Sequence, residues 1–332
     1  MTHAEAGHRT VGSDGTVPFQ LDESPHGAWA LAARDDALRV DRDRLLHGWR
    51  QGRVLLLDER GRTDALTGPD GMTLRFLPTG PLGPQPPDSA VLLDEQDGVG
   101  YWAMPVGDTG AVAEPAVEAG HHVVRHDLRS AGALLGRRDA ALLATAMGLL
   151  AWHRAAGFCA VCGSPTRMVK AGWARTCTGC GREEYPRTDP AVICLVHDDT
   201  GVNGEHVLLA RQPLWPAERY SVLAGFVEVG ESLEACVRRE IAEEVGVRVR
   251  RIRYLGSQPW PFPRSLMVGF TAVADRDAPL RPAVGEIEDA HWVHRDRVRA
   301  ALAAGGAVPG LRLPPPSSIA GRMLAAWAAV DA

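Results

Sequence analysis

The sequence predicts an α/β protein: a C-terminal domain with a mixed sheet between helices, preceded by a four-cysteine ribbon and an N-terminal α+β domain. Three observations predict it. From Tyr185 onward, apolar runs of strand length alternate with stretches of helical period. Two C-x-x-C-G knuckles stand just before that region, beginning at Cys159 and Cys177. Upstream, short apolar runs are interrupted by Gly, Pro and Asp turns. The expected boundaries are 1–20 polar and disordered, 21–157 the N-terminal domain with linking helices, 158–187 the ribbon and 188–332 the C-terminal domain.

Composition narrows the function classes. With 332 residues, 45% of them hydrophobic, the chain has ample material for two or three cores. A net charge of −5 gives no overall basic field for nucleic acid or anionic membrane. No run of eighteen apolar residues exists, so no membrane partner is expected. The first twenty-five residues contain no apolar signal segment, and the cytoplasm is the expected location.

In the N-terminal domain, Arg53 to Leu57 reads as a strand closed by a turn at Asp58 to Gly61. Thr73 to Leu77 reads as another. Val91 to Leu93 and Tyr101 to Ala103 flank a hairpin turn at Gln96-Asp97-Gly98. Pro78 to Pro87 is a Pro/Gly loop. The histidines and carboxylates of this half are scattered, so it is expected to support the rest. Two helices should follow, Leu128 to Leu135 and Ala140 to Ala155. In the second, Leu142, Leu143, Ala146, Leu149, Leu150 and His153 recur at the spacing of a packed face.

The two knuckles are separated by fourteen residues and place Cys159, Cys162, Cys177 and Cys180 for one tetrahedral zinc ion. A redox dithiol or two buried pairs are the alternatives; the glycine that tightens each knuckle favours zinc. Four cysteines leave no open position for water, so this zinc is expected to be structural, one per chain. Cys194 and Cys236 stand apart and read as buried apolar fillers.

Beyond the ribbon, strands are expected at 191–196, 206–211, 221–226, 250–255, 265–273 and 291–293, with late helices at 296–304 and 318–330. The organising stretch runs from Gly225 to Val247. Gly225 and Gly230 read as turn glycines, Ser232 as the N-cap of a helix and Gly246 as its left-handed stop. On that helix Glu240, Glu243 and Glu244 crowd one side, and Arg239, four residues before Glu243, can hold that carboxylate. A solvated helix with ordinary Glu/Arg pairing is the plain alternative. Carboxylates this close repel unless a cation sits among them, and Mg²⁺ or Mn²⁺ suits carboxylate and phosphate oxygens.

The full spacing decides between these. Gly225, five residues, Glu231, seven residues, Arg239-Glu240, an aliphatic, one residue, Glu243-Glu244, one residue, Gly246 and an aliphatic make a complete Nudix box. The chain therefore resembles a Nudix hydrolase, a family that splits nucleoside diphosphates linked to another moiety. Soon after the box stands Ser257-Gln258-Pro259-Trp260-Pro261-Phe262-Pro263-Arg264-Ser265. Its prolines preset an extended loop, so ordering it costs little, while Trp260 and Phe262 offer stacking surfaces. A rigid structural turn would also explain these prolines taken alone. At this position, and behind a four-cysteine ribbon, the loop resembles the signature of the NADH pyrophosphatase subfamily.

That resemblance implies site residues. The catalytic metals would be held by the backbone at Ala224 and by Glu240, Glu244 and Glu286, with Glu243 a ligand or the base. Substrate contacts would come from Tyr185, Phe226, the loop Gln258 to Ser265, Ala320 and Arg129. Relatives can carry an acidic contact directly before the tryptophan matched by Trp173, whereas this chain has Gly172 there. The implied reaction is Mg²⁺- or Mn²⁺-dependent hydrolysis of NADH or NAD⁺ to nicotinamide mononucleotide and AMP. Removal of NAD caps from RNA and a homodimer are also implied. ADP-ribose is the rival substrate. A nucleic-acid-binding ribbon with a silent Nudix fold is the rival class, against which the box carboxylates are complete. The ribbon's Arg167, Lys170, Arg175 and Arg182 are also partly offset by Glu183 and Glu184.

Overall fold

The computed structural model describes residues 17–21, 34–108, 117 and 120–332. It divides into two compact units. One contains Asp189–Gln258 and Leu266–Ala332 together with the first residues of the chain; the other contains His26–Thr188 and the loop Pro259–Ser265. Among the described residues, no helix is long and apolar enough to cross a membrane.

The N-terminal unit is α+β. A four-stranded sheet orders Leu77–Pro78, Arg53–Leu57, Val99–Pro105 and Val91–Gln96. A three-stranded sheet is built from Gly71–Leu74, Thr63–Gly68 and His122–His126. The expected hairpin forms, because Asp97 and Gly98 both take positive φ (51° and 79°), matching strand twist. The expected strand Thr73 to Leu77 is instead split. Gly71–Leu74 pairs with Thr63–Gly68 while Leu77 pairs with Val54, so the chain changes sheets at Arg75 and Phe76.

Arg137–Ala155 is a helix whose Leu142, Leu143 and Ala146 are fully buried. The helix expected over 128–135 is shorter, Leu128–Ala131. It stops there because Leu135 is drawn into a bridge with Met72. Two helices escape the sequence reading, Asp36–Val40 and Arg42–Arg50, capped by Asp35 and Asp41. The ribbon is a small three-stranded sheet of Thr166–Val169, Ala174–Cys177 and Glu183–Glu184.

The C-terminal unit centres on a six-stranded sheet. Its path runs Val249–Trp260, Ser265–Ala274, Asp189–His197, His206–Arg211 and Asp289–His294, and Leu223–Phe226 pairs with Asp189–His197. One apolar cluster joins the sheet to Leu233–Val245 through Cys236, Val237 and Ile241. A second joins it to Arg295–Ala303 and Ile319–Ala329 through Val298, Met323 and Trp327. Helices on both sides of one sheet are the expected α/β layering. Cys194 and Cys236 lie in the first cluster, as apolar fillers should.

Of the stretch expected to lack structure, residues 1–16 lie outside the described residues. Phe19, within the same stretch, is buried in the C-terminal unit's second core.

Candidate functional site

The box helix begins and ends as its sequence dictates. Ser232 accepts from the Ala235 N–H at 3.2 Å, and Gly246 takes φ 77°, a conformation that would strain a side chain. Gly225 differs from expectation: it lies in the strand Leu223–Phe226 and has no positive φ. Its need is space. A Cβ there would fall 1.9 Å from the Glu240 carboxyl carbon, so only glycine lets this carboxylate lie against the strand.

Arg239 is the hub of the first layer. It grips Glu231 with two donors at 2.9 and 2.8 Å and also reaches Glu240 at 2.9 Å and Glu243 at 3.1 Å. A fifth contact, 2.9 Å to the Phe226 carbonyl, fastens the helix to the end of the strand. The expected Arg239–Glu243 pair is thus the longest of its carboxylate contacts. The Arg239 guanidinium holds the Glu231 carboxyl down at about 2. Glu231 is the residue the candidate set omitted, although its box position eight residues before Arg239 was the available signal.

The second layer lies deeper. Glu244 is 3% exposed, and its Oε2 has no hydrogen-bond partner. Burial pushes its carboxyl up to about 8, aided by the charges of Glu240 and Glu286. Glu240 is raised by burial too, with Glu243 and Glu286 adding repulsion. Glu286 comes from a distant loop that is laced to the helix end. There the Arg281 N–H donates to the Val245 carbonyl at 2.8 Å, and the Ala283 N–H to the Glu244 carbonyl at 2.9 Å. A buried carboxylate oxygen without a donor, beside two more carboxylates, fits a hard divalent cation with oxygen ligands.

The four cysteines form the second centre. Their Sγ atoms all lie within 4.8 Å of one another, with Cys162–Cys177 at 3.4 Å and Cys159–Cys180 at 3.8 Å. A tetrahedral ion with Zn–S of about 2.3 Å needs sulfur separations of about 3.8 Å, so the set fits zinc. Both knuckles close identically, the Gly163 N–H on the Cys159 carbonyl and the Gly181 N–H on the Cys177 carbonyl, each glycine at φ 72°.

The remaining candidates divide between the units. In the C-terminal unit, Phe226 is exposed, while Ala320 and Gln258 are buried. The Gln258 amide is committed within the fold, donating to the Ser317 carbonyl at 2.8 Å and accepting from the Ile319 N–H at 2.6 Å. Grouped with the N-terminal unit, the loop Pro259-Trp260-Pro261-Phe262-Pro263-Arg264-Ser265 includes a cis Phe262–Pro263 peptide. Trp260 and Phe262 meet edge to face at 5.0 Å between centroids. The Arg129 guanidinium lies 4.1 Å from the Phe262 ring and 5.7 Å from the Trp260 ring, so Arg129 braces the aromatic pair.

Tyr185, exposed, shares Glu183 with Lys170, which sits 5.1 Å from its ring. The glycine at 172 also has a physical reason. It takes φ 90°, and a Cβ there would lie 2.5 Å from Val91.

Comparison with known proteins identifies the family. The NUDIX domain model matches residues 187–311, and the NADH pyrophosphatase zinc ribbon domain model matches residues 154–185. The chain is 42% identical over 325 residues to the NAD-capped RNA hydrolase NudC of Mycobacterium bovis, covering 95% of this chain and 98% of that one. The same identity and coverage hold for NudC of Mycobacterium tuberculosis. NAD-capped RNA hydrolase NUDT12 of Macaca fascicularis is 35% identical over 247 residues, 72% of this chain and 52% of that protein. With a complete box, a four-thiol ribbon and mycobacterial relatives matched along nearly their whole length, the chain belongs to the NADH pyrophosphatase subfamily of the Nudix hydrolases.

Proposed function

We propose that this protein hydrolyses the pyrophosphate bond of NADH or NAD⁺, giving nicotinamide mononucleotide and AMP, and removes NAD caps from RNA 5′ ends. The observation that carries the reading is the buried Glu244 carboxyl, its Oε2 without a hydrogen-bond donor, beside Glu240 and Glu286, in a chain of which 95% is matched by an NAD-capped RNA hydrolase. The Ala224 backbone, Glu240, Glu244 and Glu286 would hold Mg²⁺ or Mn²⁺. Such a cation supplies charge neutralisation of the diphosphate and a lower pKa for bound water. Arg239 fixes Glu240 and Glu243 in place, and Glu243 or Glu244 takes the proton from the attacking water. Tyr185, Phe226, Arg129, Ala320 and the loop Gln258 to Ser265 would contact the nucleotide.

Substrate choice is assigned to the loop. The diphosphate is common to all Nudix substrates, so discrimination must come from the nicotinamide end, a flat ring suited to stacking. Stacking beyond burial is worth roughly 0.5–1.5 kcal/mol, up to about tenfold in affinity. Trp260→Ala should therefore lower kcat/KM for NADH by roughly tenfold or more and that for ADP-ribose by less than about threefold. Steady-state kinetics on NADH, NAD⁺, NAD-capped RNA and ADP-ribose test both statements. Preference of the unmodified protein for ADP-ribose would overturn the function, and equal losses in the variant would overturn the role of the loop. Absence of any turnover would instead favour a binding protein with a silent Nudix fold.

We also propose a homodimer, supported by subfamily resemblance and by an aromatic set (Tyr185, Phe226, Trp260) larger than one ring needs. Light scattering at assay concentration should give twice the chain mass; a monomer would count against it.

A further inference from the structure

Residues Val17–Leu21 belong to the C-terminal unit, although the asparagine that holds them is 184 positions away from Phe19. Asn203, 1% exposed, accepts from the Phe19 N–H at 2.9 Å and donates to the Val17 carbonyl at 3.2 Å. Reading both backbone groups around one residue is how an extended segment is held in register. The same amide donates to the Asp331 carbonyl at 3.0 Å, tying the other end of the chain to the same point. Arg253 donates to the Phe19 carbonyl at 2.8 Å and lies 5.6 Å from its ring. The Phe19 ring itself is 2% exposed, in the cluster that contains Ile319, Ala320, Met323 and Trp327. Leu21 packs beside Gly256, within 3.3 Å of where a Cβ would stand.

These contacts converge on two elements that the proposed function uses. Arg253 and Gly256 lie on Val249–Trp260, an edge strand that continues into Gln258. Ile319 and Ala320 open the helix Ile319–Ala329. Gln258 joins the two through Ser317 and Ile319. An edge strand has a neighbour on one side only, so it depends on whatever else packs against it.

We infer that Val17–Leu21 is an intrachain strap and Phe19 a positioning residue for substrate recognition, fixing the Gln258–Ile319 junction and with it the two proposed substrate contacts of this unit, Gln258 and Ala320. Phe19 touches neither the carboxylate cluster nor, on this reading, the substrate. Its loss should therefore weaken substrate binding while sparing the chemical step. The inference rests on the proposed NADH activity.

The test uses the full chain with Phe19→Ala and Phe19→Leu, assayed on NADH and followed by amide hydrogen exchange. Phe19→Ala should raise KM by about fivefold or more with kcat within about twofold, and Phe19→Leu should restore most of it. Exchange at the Ile319 amide should accelerate more than exchange in the Leu233–Val245 helix. An unchanged KM with only a lower melting temperature would overturn the inference, as would equal acceleration in both elements. If Phe19→Ala does not fold, the less severe truncation Phe19→Val decides by the same criterion. Failure of the NADH reading is separate: the unmodified protein would then not turn over NADH, and the exchange comparison would decide the strap alone.

Discussion

Replacing Glu244 with Gln should lower kcat by at least about 10²-fold and leave the fold intact, in line with lost acid–base or metal assistance. Gln keeps the volume of a side chain that is 3% exposed but removes the charge that a divalent cation requires. The stability side of the same change sharpens the test. Burial, then the charges of Glu240 and Glu286, push the Glu244 carboxyl from 4.5 up to about 8. A carboxyl raised in the fold binds its proton more tightly there than in the unfolded chain. Without a cation, stability is therefore full below about pH 4.5 and declines as the pH rises towards 8, by on the order of a few kcal/mol. Gln does not ionise and carries no such penalty. Without added Mg²⁺ or Mn²⁺, Glu244→Gln should melt at or above the parent at pH 8, with the gap closing at acid pH. Steady-state kcat at saturating Mg²⁺, and melts of the zinc-loaded protein with no added Mg²⁺ or Mn²⁺, check the two halves. A wild-type rate would refute the role of Glu244; a lower melt at pH 8 would refute the electrostatic account.

The second large effect concerns the ribbon. Cys159→Ser or Cys177→Ser should abolish most of the yield of folded protein, and the parent should carry about one zinc per chain. Both thiols are buried, and the short strands around them bury little apolar surface of their own. Structural zinc contributes about 10–16 kcal/mol in such sites, as much as a whole domain's usual stability. Serine cannot replace a thiolate ligand, so the knuckle loses its closure and the strands their anchor. Metal analysis finding no zinc in freshly purified protein would sink the assignment, as would normal yield and melting in both variants.

The two centres were legible in the sequence because each is written in local spacing. A helix fixes the relative positions of Glu240, Glu243 and Glu244, and a knuckle fixes its two thiols, so residue intervals alone carry the geometry. The caps at Ser232 and Gly246 are equally local. The charged segment 34–50 was harder. Its helices begin at Asp35 and Asp41 but offer few apolar positions, so the periodic signal was weak and Leu38 and Trp49 gave no pattern by themselves.

Residue intervals alone carry the chemistry: four thiolates for zinc, and a carboxylate helix followed by a proline-stiffened aromatic loop. How those groups are held is set by the packing of distant segments, and the folded structure gives it. It showed that Arg239 is committed chiefly to Glu231, that Gly225 is a glycine because the Glu240 carboxylate occupies its side-chain space, and that the 283–286 loop is laced to the helix end. It also placed Phe19 in a core built from residues far along the chain, with Asn203 holding both termini. The physical reason is the range of the interactions. Capping, helix pitch and knuckle closure act over a few residues and leave a spacing to read. Burial, desolvation and ion pairing between distant segments depend on which surfaces meet, and that is fixed only when the chain has folded.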